Sequence, residues 1–149
     1  MALHEQINRI VRKHDLRLKA IADKVMADTK ETLVKRLNDD FYKSYSPLDY
    51  ERSYDLINAV DGRIVKNDVG NYTIEVFFDE AQIHPRSRAG WNAHMGFDGK
   101  PFVHGLIEAL ENGFKSPYTP RYGEEFKIIS KTQKQAEKIA NKLLKQYLK

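Results

Sequence analysis

The sequence predicts an α+β fold: a long N-terminal helix, a small antiparallel sheet built on a β-hairpin, a later short helix and an amphipathic C-terminal helix. Three patterns carry that reading. Apolar residues recur at steps of three and four from about residue 3 to about 42. Two strand-like runs then flank a cluster of turn formers at residues 67–71. From about residue 131 to 147, an apolar helical face alternates with a line of lysines.

The first stripe is Leu3, Ile7, Ile10, Val11, Leu18, Ile21, Ala22, Val25, Met26, Leu33, Leu37 and Phe41, with neither Gly nor Pro inside it. Roughly 40 residues at 1.5 Å rise span ~60 Å, more than a small domain is wide. The helix therefore either breaks near His14-Asp15 or Asp28-Thr29 or packs part of its edge on another chain; spacing alone does not separate the two, and a break plus a partner surface is the favoured reading. Ser46-Pro47 reads as an N-cap followed by proline at the first helical position. Around it, Phe41, Tyr42, Tyr45, Tyr50 and Tyr54 form an aromatic anchor between the long helix and the sheet. A short helix ends near Asn58, and Asp61-Gly62 reads as a turn.

Arg63–Lys66 and Tyr72–Phe78 are the strand runs, linked by Asn67-Asp68-Val69-Gly70-Asn71. In the second, Tyr72, Ile74 and Val76 share one face, and Thr73, Glu75 and Phe77 share the other. Residues 79–101 lack periodicity and hold Gly90, Gly96, Gly99, Pro85 and Pro101; such a long loop is read as functional or mobile. A helical stripe resumes from Phe102 to Asn112 and stops at Gly113. A second arm spans about 114–124, and Glu125–Ile129 reads as a short strand. Ser130 is the expected N-cap of the closing helix, whose apolar face is Ala136, Ile139, Ala140, Leu143, Leu144, Tyr147 and Leu148. The whole of 1–149 is read as one domain with protruding loops at about 79–101 and 114–124.

At 149 residues the chain is large enough for one core. With no cysteine, disulfides, thiolate ligands and thiol catalysis are excluded. No signal sequence and no transmembrane run is expected, and synthesis in a cytoplasm follows. The net charge of +4 is unevenly spread: residues 1–40 carry +2, residues 41–126 carry −4 and residues 127–149 carry +6. Such polarity suits head-to-tail packing of copies, a basic helix facing nucleic acid, or simply a solvated helix face.

Catalytic signatures are absent. No Gly-x-Ser-x-Gly occurs, and Gly96-Phe97-Asp98-Gly99-Lys100 lacks the spacing and hydroxyl of a phosphate loop. His84, His94 and His104 stand near Asp79, Glu80, Asp98 and Glu108, but no pair has the helical spacing of a zinc motif. No catalytic residue, metal or cofactor is expected. The loop Arg86-Ser87-Arg88-Ala89-Gly90-Trp91 joins the only tryptophan to two arginines, types enriched at interface hot spots. Tyr50, Tyr54, Arg86, Arg88, Trp91, Phe97, Tyr118 and Tyr122 are the candidate subunit-interface residues. Lys131, Lys134, Lys138, Lys142 and Lys145 are the candidate phosphate contacts, suited to backbone charge rather than to reading bases.

The order of elements resembles the small head–tail connector proteins of long-tailed bacteriophages, the neck or tail-completion class. The best local matches are Tyr50-Glu51-Arg52-Ser53-Tyr54-Asp55-Leu56-Ile57-Asn58-Ala59-Val60, similar to the segment before the first strand, and Lys100-Pro101-Phe102, similar to a Pro-Phe helix opening. The resemblance covers about Thr29 to Gly113. Tyr50–Tyr54 replaces the Thr-Gly-x-Leu segment common in that class, and His84–Gly99 stands where a Tyr-x-x-x-x-Gly-Thr stretch is usual. The C-terminal arm and lysine helix are additional.

The resemblance implies a structural virion protein at the head–tail junction. It would assemble as a ring with copies of itself and contact portal, connector or tail proteins. Non-specific contact with packaged DNA and no membrane partner are implied too. The alternative reading is a small nucleic-acid-binding or regulatory protein using the basic last helix.

Overall fold

The computed structural model describes residues 3–43, 54–83, 103–113 and 125–149. Helix α1 (Leu3–Arg36) runs without interruption for 34 residues, about 50 Å. The break expected near His14-Asp15 or Asp28-Thr29 does not occur. Neither site holds a helix breaker, and Asp15 and Asp28 are used as side-chain acceptors instead of caps. The apolar edge is covered where the fold is thick and left uncovered beyond it, so no bend is needed.

The helix then widens into a π-helical segment, Leu37–Tyr42, in which the Lys43 amide donates to the Asn38 carbonyl. The wider turn brings Leu37, Phe41 and Tyr42 to the interior together. Phe41 meets Tyr42 edge-on at 5.2 Å and Phe126 at 5.3 Å, and Tyr42 lies 4.7 Å from Tyr54. The anchor thus exists and includes Phe126. Ser46, Pro47, Tyr45 and Tyr50 lie outside the described residues.

A short helix, α2 (Asp55–Asn58), leads into strand β1 (Val60–Asp68), which pairs antiparallel with β2 (Asn71–Phe78). Asp61-Gly62 is therefore strand, not turn. At Gly62 the hairpin presses on α1: an added Cβ would stand 3.0 Å from Met26 Cγ and 3.2 Å from the Glu75 carbonyl. The register pairs Ile64 with Ile74 and Lys66 with Tyr72, shifts between Lys66 and Asp68, and closes over Val69-Gly70 with Gly70 at φ +73°. The face of Tyr72, Ile74 and Val76 is turned inward and partly buried, while Thr73 and Phe77 are exposed, as the alternation predicts.

A 3₁₀ turn (Glu80–Gln82) follows, with the Asp79 carboxylate accepting from the Ala81 amide. Helix α3 (Val103–Asn112) ends at Gly113, φ +77°. The expected strand at 125–129 is absent. Glu125–Lys127 is irregular, and helix α4 (Ile128–Tyr147) starts three residues early. Ser130 is not its N-cap. Lys127, at φ 52°, holds that position without a side-chain cap. The first turn is instead satisfied from α3: Glu111 accepts from the Ser130 amide at 3.0 Å and from the Ser130 hydroxyl. Burial pushes the Glu111 carboxyl up, yet these bonds and nearby Lys127 bring it below its ordinary value.

The core gathers Leu33, Leu37, Phe41, Tyr42, Leu56, Ala59, Val60, Ile83, Leu110, Phe126 and Ile128. It lies at the C-terminal end of α1. From there α4 and the hairpin run back along α1 toward its N-terminus.

Candidate docking surface

Two contacts mark where this cover stops. On one flank, Asp15 fastens the hairpin tip. Its carboxylate accepts from Lys66 Nζ at 2.6 Å, from the Tyr72 hydroxyl at 2.7 Å and from the Gly70 amide at 2.8 Å. These donors hold the carboxyl at about 2 and raise both Lys66 and Tyr72 above their ordinary values. On the other flank the Tyr147 hydroxyl and His14 Nδ1 share a hydrogen bond, their rings meet edge-on, and the Arg17 guanidinium lies 6.0 Å from the Tyr147 ring. Since Tyr147 ends α4 beside His14, and Ile128 starts it in the core, α4 runs antiparallel to α1.

Beyond these contacts no other described element covers α1. Every residue from Leu3 to His14 is exposed, and residues 3–13 project ~16 Å past the hairpin tip. The stripe that is buried at Ala22, Val25 and Leu33 continues onto this projection as Leu3, Ile7, Ile10 and Val11. Leu3 is 73% exposed and Ile10 57%. At the foot of the projection α4 presents Leu148, 80% exposed. Isolated apolar residues on a surface are ordinary, whereas a contiguous helical stripe extending past its cover is a candidate contact surface.

Charge is divided in the same way. Through the body, most described cations are paired: Lys19–Asp23, Lys24–Asp28, Lys30–Asp61, Arg36–Asp40, Lys43–Asp39, Arg63–Glu75 and Lys66–Asp15. Arg9, Arg12, Lys13 and Arg17 on α1 join no carboxylate among the described residues. Nor do Lys131, Lys134, Lys138, Lys142 and Lys145 on α4. These lysines are exposed and recur at steps of three and four, so they form one line along the helix. Across 131–145 that line is ~21 Å long. Seven carboxylates of the body are thus committed internally, while cations without a described acidic partner are left on α4 and on the back of the projection.

Among the candidate interface residues, Tyr54 is described. It is partly exposed, stacks on Tyr42 and starts α2 at φ 56°, so it joins the anchor to the surface. Arg86, Arg88, Trp91, Phe97, Tyr118 and Tyr122 lie outside the described residues, as do His84 and His94; His104 falls on α3. No three His, Asp or Glu converge into a metal-binding group among the described residues, and no described helix is long and apolar enough to cross a membrane. Sequence reasoning did not single out Asp15, His14 or Tyr147 as the points where cover ends. Their partners are far apart in sequence and carry no local signal. The uncovered start of the stripe was legible only as a length argument. No protein-family model, curated protein or solved structure matches this chain.

Proposed function

We propose that this protein is an assembly subunit of a bacteriophage head–tail junction, built into a ring between the portal-side connector and the tail. The observation that carries the assembly role is the projection of α1: an apolar helical stripe that leaves its own fold and ends uncovered. The phage assignment rests on the resemblance of Tyr50–Val60 and Lys100–Phe102 to neck and tail-completion proteins. In this reading the body provides a base. The Asp15 and Tyr147 contacts aim the projection, and docking buries its stripe against a neighbouring copy or against connector, portal or tail proteins. Each contact is small, and a ring of copies supplies the avidity.

Electron microscopy of particles from a phage with this gene interrupted tests the proposal. DNA-filled heads separated from free tails, or tails with abnormal ends, support it. Normal joined particles overturn it.

The lysine line on α4, which meets no carboxylate among the described residues, favours a second reading, a small nucleic-acid-binding protein. Under it, the isolated chain binds duplex DNA of any sequence, with an affinity that falls steeply as salt rises. Fluorescence anisotropy with two unrelated duplexes, titrated at two salt concentrations, decides it. Absence of binding at low salt removes this reading.

A further inference from the structure

We infer that the bare stripe of α1 is covered, in solution, by the same stripe of a second copy of this chain, the two projections lying antiparallel about a twofold axis. The inference names the partner of the surface just described and so rests on the assembly reading, although not on the phage assignment.

Three features select a second copy. The first is spacing: Leu3, Ile7, Ile10 and His14 advance by four, three and four residues, which is the knob spacing of a coiled coil. The second is charge at the flanks. On this register Gln6 and Lys13 border the stripe on one side, and His4 and Val11 on the other. An antiparallel pair sets Gln6 against Lys13 of the second copy, so no like charges meet across the seam. Arg9 and Arg12 point away from it. The third is area. Each half-exposed aliphatic offers roughly 100 Å² of apolar surface, so the four on each projection and Leu148 bury ~1,000 Å² in a pair. That lies at the lower edge of specific interfaces and describes a reversible pair rather than an obligate one.

Sterics choose the orientation. From His14 onward the stripe face of α1 carries the end of α4 and the hairpin tip. A parallel pair would drive the bodies of both copies into each other on that face. An antiparallel pair puts them at opposite ends, with Leu3 of one copy reaching His14 and Leu148 of the other. The midpoint then falls between Ile7 and Ile10, and Ile7 of one copy faces Ile10 of its mate.

The chain has no cysteine, so introduced thiols report this register directly. Ile7→Cys and Ile10→Cys chains are mixed in equal amounts and mildly oxidised. The expected result is a mixed 7–10 disulfide in several-fold excess over the 7–7 and 10–10 products. A predominance of 7–7 and 10–10 products, or a statistical mixture of the three, overturns the antiparallel pair. Sedimentation velocity of the unaltered chain from about 1 to about 200 µM, a range bracketing a micromolar dissociation constant, should show monomer giving way to dimer. Ile10→Asp should weaken the dimer roughly 100-fold or more while leaving the helical circular-dichroism signal intact. A chain that stays monomeric throughout overturns the second copy as the occupant. It leaves the assembly reading to the particle experiment, which fails or succeeds separately.

Discussion

Leu33 and Ile10 stand on one helix, the first 5% exposed inside the core and the second 57% exposed on the projection. Truncating each to alanine removes comparable apolar bulk, yet the structure predicts opposite consequences for the isolated chain. Leu33 packs among Leu37, Phe41 and Ile128 in the core cluster. Its loss removes transfer free energy and leaves a cavity, costing about 2–5 kcal/mol. At ~3 kcal/mol, and with roughly 2–4 °C per kcal/mol for a chain of this size, the midpoint should fall by about 10 °C. Ile10 has no wall facing it among the described residues, so no cavity can form, and alanine is the better helix former by a few tenths of a kcal/mol. Ile10→Ala should therefore change stability by no more than about 0.5 kcal/mol, or about 2 °C, in either direction. Thermal melts followed by circular dichroism at low micromolar concentration read both variants. An Ile10→Ala midpoint that drops as far as that of Leu33→Ala would mean that the chain covers its own stripe, and the docking argument would collapse.

Further predictions concern what aims the projection. Gly62→Val should destabilise the hairpin against α1 by about 1–3 kcal/mol, since its branches meet Met26 and the Glu75 carbonyl. Adding Met26→Ala should recover part of that loss in urea melts, and identical melts for the single and double variants would count against the close approach. Asp15 ionises at about 2 when folded and at 3.8 in its ordinary state, so its stabilisation is complete above the ordinary value and is lost as pH falls toward 2. Protection of the Gly70 amide, its exchange rate relative to the intrinsic rate at each pH, should fall across that window in the natural chain. In Asp15→Asn it should already be low near neutrality, and equal pH profiles in the two chains would refute the latch. Glu111→Ala should fray the start of α4, costing on the order of 1 kcal/mol, with faster exchange at the Ser130 amide as the readout. Unchanged exchange there would show that Glu111 does not cap the helix.

Much of the fold was legible because its signals are local. The stripe of α1 and its freedom from Gly and Pro predicted a helix to about residue 42, and the π segment extends it to Tyr42. Turn formers at 67–71 located the hairpin, and alternation identified its buried face. The misreadings share a cause, which is that a long-range partner overrides a local rule. Asp61-Gly62 looks like a turn, but Gly62 serves a close approach to Met26, far away in sequence. Ser130 looks like an N-cap, but Glu111 from another helix satisfies that turn and lets α4 begin at Ile128. The break in α1 was one of two ways to accommodate an apolar edge too long for one chain, and the helix instead runs without interruption and leaves the start of that edge exposed. The lysine line was readable from its spacing alone. That it meets no acidic partner among the described residues became visible only once the carboxylates of the body were placed in pairs.

The central claim is that residues 3–13 are a helix without cover in the free chain and gain cover on assembly. Hydrogen exchange along α1 measures this directly. In dilute monomer, amides from about residue 7 to 13 should exchange far faster than those of residues 18–36, and assembly should slow them selectively. Equal protection along the whole of α1 in dilute monomer, or no change on assembly, would contradict the account.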